Sequence, residues 1–121
     1  MRIERFEDIE AWKEARELVK IVYCIFKDIK DFGFKDQIQR SAVSIMSNIA
    51  EGFDRGSNKE FIKFLIIARA STSEVKSLLY VAVDAGYCSQ EMFTKTSAQC
   101  AKISSLINGF IRYLRKSERK C

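Results

Sequence analysis

Near the start of the chain, apolar side chains recur in alternating steps of three and four: Trp12, Ala15, Val19, Val22, Phe26 and Ile29. That period keeps them on one helix face and predicts a helix over residues 6–31, with Leu18 and Ile25 widening the stripe. Glu7, Asp8 and Glu10 suit the positive end of the helix dipole. Gly33 suits the left-handed residue that often follows a helix end. A second helix begins near Lys35 or Asp36, carries Ile38, Ala42, Ile45 and Ile49, and ends between Gly52 and Gly56.

The run Ser57-Asn58-Lys59-Glu60 reads as a capping box, in which serine and glutamate satisfy each other's free amides. Phe61, Leu65, Ala68, Thr72, Val75, Leu79 and Ala82 then hold a heptad pattern until Gly86. A fourth helix starts near Ser89, with Phe93, Thr96, Cys100, Ile103, Ile107, Phe110 and Leu114 on its stripe. Four amphipathic helices with short connections predict an all-α, antiparallel up-down-up-down four-helix bundle. With no internal linker, residues 1–121 are expected to form a single domain with a short basic C-terminal tail from about residue 112. Ile62, Ile66, Ile67, Leu78 and Tyr80, with Leu18, Ile21 and Ile25, exceed what one bundle core needs. That width is either used inside one chain or covered by self-association, and self-association is the expectation.

One stretch departs from this regularity. Arg40, Ser44, Ser47, Asn48 and Glu51 fall at i, i+4, i+7, i+8 and i+11, a small polar face bordering the apolar stripe. Ser71 and Glu74 make a similar pair on the third helix. The expectation is a structural polar network of Arg40, Ser44, Asn48, Glu51, Ser71 and Glu74 between helices two and three, with Arg40 paired to Glu51 or Glu74. Such a network fixes helix register. The functional alternative is a ligand- or RNA-contacting patch.

Composition narrows the chemistry. The chain is 47% hydrophobic and 31% charged, as in globular proteins, and it lacks proline. It also lacks histidine, the commonest general base and metal ligand, so the Glu-x-x-His sites of di-iron bundles cannot be built. No glycine-rich phosphate loop is present, and the four cysteines lack the close spacing of a zinc knuckle or redox dithiol. These features predict a non-enzymatic protein without metal or cofactor. The cysteine scatter suits a reducing cytoplasm, and the charged N-terminus lacks a signal-peptide core. No apolar run reaches the ~20 residues that span a bilayer, so no membrane partner is expected.

The net charge of +5 is concentrated at the end. Arg112, Arg115, Lys116, Arg119 and Lys120 stand against Glu118 alone, whereas the first 111 residues carry 16 basic and 15 acidic groups. Arg55, Lys59 and Lys63 form a second cluster around the turn between helices two and three. Clustered cations attract polyanions through counterion release.

The segments FEDIEAWKEA, QIQRSAVSIMSNIAEGFDRGSNKEFIKFL and ARASTSEVKSLL followed by AGY cover most of the chain. Together they resemble the four-helix-bundle family encoded in intervening sequences of bacterial 23S ribosomal RNA genes, most specifically over residues 44–52. Ala70 takes a position where that family often has glycine. The resemblance implies a homopentamer with basic surfaces and transfers no catalytic residues. Related accessory proteins of diversity-generating retroelements partner a reverse transcriptase and nucleic acid. The function expected is therefore a homo-oligomeric accessory that binds RNA or DNA, or a nucleic-acid-processing partner, through these eight basic residues. The alternative is a scaffold whose oligomer surface binds a partner protein without touching nucleic acid. Tyr113 is the one aromatic among the tail's cations, which points to sequence-tolerant binding.

Overall fold

The computed structural model describes the backbone of residues 3–119 and the side chains of residues 3–117. Four helices follow in order: α1, Glu10–Phe26; α2, Phe32–Phe53; α3, Asn58–Asp84; and α4, Gln90–Arg119. Each helix packs on its neighbours in a ring, with α1 touching α2 and α4 but not α3 among the described residues. This is the antiparallel four-helix bundle that the periodicity predicts.

Helix starts follow side-chain chemistry. Ser57 Oγ accepts from the Glu60 amide at 3.2 Å, the first half of the expected capping box. The Glu60 carboxylate instead meets Lys63 at 3.4 Å. Ser89 caps α4 by accepting from the Met92 amide at 3.1 Å. Gly56 and Gly86 supply the left-handed residues that end α2 and α3, with φ of 84° and 80°.

The first corner differs from expectation. Residues 6–8 form a separate 3-10 turn, and α1 ends at Phe26. Asp31 caps α2 by accepting from the Phe34 amide at 3.1 Å, which places Gly33 inside the first turn of α2. A carboxylate that can cap the next helix outweighs a glycine that could end the last one. Tyr87, from the α3–α4 connection, donates its hydroxyl to the other Asp31 oxygen at 2.8 Å. Its ring lies 5.2 Å from Phe34, which in turn meets Phe26 edge-on at 5.4 Å.

The core is lined by Ala15, Leu18, Val22 and Phe26 of α1, Ile38, Ala42, Ile45 and Ile49 of α2, Leu65, Ala68, Val75 and Leu79 of α3, and Ile103 and Ile107 of α4. On α1 the buried stripe begins at Ala11, leaving Trp12 and Val19 half-buried at its edge, while Ile29 falls past the helix end and is half-buried in the connection to α2. Thr72 and Thr96 are buried with their hydroxyls donating to carbonyls one turn back, at 2.9 and 2.7 Å. Part of the apolar surplus is absorbed within the chain, because Leu18, Ile62 and Leu78 are buried. Ile66, Ile67, Tyr80 and Val81 remain exposed on α3. No described helix is long and apolar enough to cross a membrane.

The Asp31–Tyr87 bond gives the bundle a pH window. Hydrogen bonds from Tyr87 and the Phe34 amide hold the Asp31 carboxyl below its ordinary value. The contribution is therefore present above the unfolded carboxylate pKa and lost as pH falls through the folded one. The same bond raises the Tyr87 phenol, whose contribution is present below its unfolded pKa and lost as pH rises through the folded one. Tyr87→Phe should lower the melting temperature at pH 7, and the deficit should shrink as pH rises through the folded Tyr87 pKa, in thermal melts followed by circular dichroism.

Candidate nucleic-acid interface

Ser44, Asn48 and Gly52 lie one helical turn apart on α2 and share the face turned towards α3. The hydroxyls of Ser44 and Ser71 are hydrogen-bonded across the helix gap at 2.9 Å. Asn48 Nδ2 donates to the Ser44 carbonyl at 2.8 Å and to its hydroxyl at 3.0 Å. One turn on, a Cβ at Gly52 would stand 2.6 Å from Phe64 Cβ and 2.9 Å from Phe61 Cδ1. Helix α3 thus runs against bare α2 backbone at Gly52 and against small hydroxyls at Ser44.

That seam sets the end of the bundle where the cations gather. Asn58, in the first turn of α3, donates its side-chain amide to the Leu114 carbonyl of α4 at 3.2 Å. The α2–α3 turn and the last turns of α4 are therefore neighbours, and a shallow cavity of about 220 Å³ lies between them, lined by Phe53, Phe61, Phe110 and Tyr113 among others. Arg112, Arg115 and Lys116 are exposed there. None of the three forms an ion pair among the described residues. Lys59 is likewise exposed and unpaired. Arg55 is held by Glu51 at 3.0 Å and lies over the Phe64 ring at 4.8 Å. Lys63 meets Glu60 at 3.4 Å, so of the turn's three cations Lys59 is the one without an ion pair among the described residues.

The sequence profile of the 23S rRNA-intervening sequence proteins matches residues 7–109. The chain belongs to that family. Among solved structures, it is similar to a Bacteroides thetaiotaomicron protein of the S23 ribosomal protein family, described as of unknown function. The two share 27% identity with a TM-score of 0.76, over 84% of this chain and 97% of that one. No curated protein matches.

Within this member of the 23S rRNA-intervening sequence family, the predicted polar residues separate into two groups. Ser44, Asn48 and Ser71 meet as described. Arg40 does not pair with Glu51 or Glu74: its Nε meets Asp36 Oδ2 at 2.7 Å, and its side chain is 79% exposed. Helical side chains lean towards the N-terminus, so Arg40 reaches the residue four before it. Glu51, eleven residues on, stands about 16 Å further along the axis. Glu74 is exposed at the rim of a groove shared with Arg40 and Ser44. Lys120 lies outside the described residues, and Arg119 is described only as backbone at the end of α4.

The larger omission of the sequence reading concerns charge. Residues 1–57 carry ten basic and eleven acidic groups, whereas residues 58–121 carry eleven and five. Between Glu91 and Glu118, α4 contains no acidic residue. Arg69 and Lys76 of α3 stand alone in the sequence, and only the pairing of α3 with α4 brings them beside that helix. Lys102 is compensated, since Glu14 of α1 meets it at 3.4 Å. The Glu14 carboxyl is held below its ordinary value mainly by the Gln99 side-chain amide, at 2.8 Å. Burial pushes the Cys100 thiol up to about 11 and keeps it protonated, so it is a poor nucleophile. No group of three metal-ligating side chains occurs among the described residues.

Two stability predictions follow from the seam. Gly52→Ala gains about 1 kcal/mol of helix propensity, but overpacking costs about 1–3 kcal/mol. Because the nearest obstacle is a Cβ, which cannot swing aside, net destabilisation should appear as a lower urea midpoint. Asn48→Ala should cost about 1–2 kcal/mol through its lost hydrogen bonds. Glu51→Ala should cost less than about 0.5 kcal/mol, since its ion pair is exposed. Equal losses for the two variants in urea titrations would contradict this division.

Proposed function

We propose that this family member is a non-enzymatic, homo-oligomeric cytoplasmic accessory protein that binds RNA or DNA, or a nucleoprotein partner, through the cations at one end of its bundle. The observation that carries the reading is the Asn58–Leu114 hydrogen bond, which brings Lys59 near Arg112, Arg115 and Lys116, none of them ion-paired among the described residues. Arg119 and Lys120 continue the same basic sequence, and the family's association with 23S rRNA intervening sequences supports it. Arg112, Arg115 and Lys116 follow helical spacing, so they form one cationic ridge along α4. Exposed Ile66, Ile67, Tyr80 and Val81 on α3 support self-association. The homopentamer implied by the family resemblance would repeat the ridge five times and multiply a weak contact.

The same exposed apolar side chains favour a second reading, a scaffold that binds a partner protein without nucleic acid. Charge substitution separates the two. Truncation is a poor tool, because Leu114 is buried and accepts the Asn58 bond. The triple variant Arg112→Gln, Arg115→Gln, Lys116→Gln keeps the helix and removes the charges. Its dependence of log Kd on log salt, for labelled single-stranded RNA and duplex DNA, should be shallower by about 2–3. Absence of salt-dependent binding to either probe by the wild type would favour the scaffold.

A further inference from the structure

The geometry points to the groove between α3 and α4 as a track for a nucleic-acid phosphodiester backbone, running from the basic end along the side of the bundle. The inference rests on the nucleic-acid reading above and adds a site and the groups that hold it. The groove is open and about 440 Å³ in volume. Ser73 and Lys76 line it from α3, and Ser104, Ser105, Asn108 and Arg112 from α4. No carboxylate lines it.

Lys76 and Arg112 line this groove, Arg69 reaches its lining residue Asn108, and none of the three forms an ion pair among the described residues. Arg69 Nη1 donates to Asn108 Oδ1 at 2.8 Å, so a neutral amide fixes the guanidinium at the groove wall while leaving its charge uncompensated. Lys76 forms no ion pair among the described residues. Arg112 folds back along α4, its Nη2 lying 3.8 Å from where a Cβ at Gly109 would stand.

The donor set matches phosphate. A guanidinium presents a fork of N–H groups to phosphate oxygens, and an ammonium serves as a point charge beside it. Serine hydroxyls donate to further oxygens without adding repulsion. Arg69 and Lys76 are seven residues apart, about 10 Å along the axis. Cations so spaced, with Arg112 leading to Arg115 and Lys116, form a series suited to a polyanion rather than one small anion. No aromatic side chain lines the groove, so its contacts fall on the backbone and tolerate any base sequence.

The test is fluorescence anisotropy with a labelled 20-nucleotide mixed-sequence RNA, comparing wild type, Lys76→Gln and Arg69→Gln. Lys20→Gln on α1 serves as the control of equal charge, and circular dichroism melts check folding. Lys76 is exposed and carries the test alone if Arg69→Gln unfolds. Each groove variant should raise Kd about fivefold at 0.1 M salt and flatten the salt dependence by about 0.7, while Lys20→Gln changes Kd less than twofold. If Lys76→Gln matches Lys20→Gln while the triple α4 variant loses binding, the groove is excluded and the basic end stands. If the wild type shows no salt-dependent binding, both readings fall. Displacement of the RNA by inorganic phosphate at constant ionic strength would make the groove a small-anion site and overturn the polymer assignment.

Discussion

The close approach of α2 to α3 is the constraint from which the other arrangements follow. At Gly52 the helices meet backbone to side chain, with Phe64 and Phe61 occupying the space of the missing Cβ. Two turns earlier, Ser44 and Ser71 bridge the gap. A hydrogen bond like this contributes only about 1 kcal/mol, but a shift in register would strand polar groups at roughly 1–3 kcal/mol each. The seam therefore acts more on which packing forms than on how stable it is. Once α3 is fixed in height, Asn58 falls beside Leu114, Arg69 beside Asn108, and Lys76 beside the hydroxyls of α4.

Local pairing offsets much of the charge on α1 and α2. Lys13 with Glu10, Lys20 with Glu17 and Arg40 with Asp36 all lie three or four residues apart on α1 or α2. Each pair is worth little to stability, yet each cancels most of its own potential within the ~8 Å screening length of physiological salt. From Glu91 to Glu118, α4 has no acid with which to do the same. Its compensation can come only from another helix, as Lys102 obtains from Glu14. Arg112, Arg115 and Lys116 have no such partner among the described residues, so their potentials add.

Helix number, order and most core positions were legible because apolar spacing is a local signal repeated many times. The α1–α2 corner was not, since Asp31 and Gly33 each carry a turn preference and only their competition decides the boundary. On α1, Leu18 with Val19 and Ala11 with Trp12 allow two phases of the stripe, and contact with α2 and α4 selects between them. The small polar face of α2 was visible in the spacing of Ser44 and Asn48. Arg40's partner was misread because a shared face says nothing of axial distance. Arg69 with Asn108 and Gln99 with Glu14 join residues on different helices. Such pairs depend on which helices become neighbours and at what height, information absent from any single helical wheel.

The basic end that the sequence marks from about residue 112 is carried by a helix. Residues 112–119 continue α4, and Ile111 and Leu114 are buried against the bundle, Leu114 with 6% of its surface exposed. Arg112, Arg115 and Lys116 therefore project from a helix already docked by its apolar face. A disordered tail would lose conformational freedom on meeting a polyanion, offsetting part of its Coulomb attraction. Here the backbone is ordered by packing within the chain, and only side-chain freedom remains to be lost. The family profile ends at residue 109, so the seam that sets helix height lies within the matched region and these cations lie beyond it. Assembly of the bundle and display of its charge are thus separable along the chain: substitutions at residues 112–119 that spare Leu114 can retune the surface without disturbing the contact between α2 and α3.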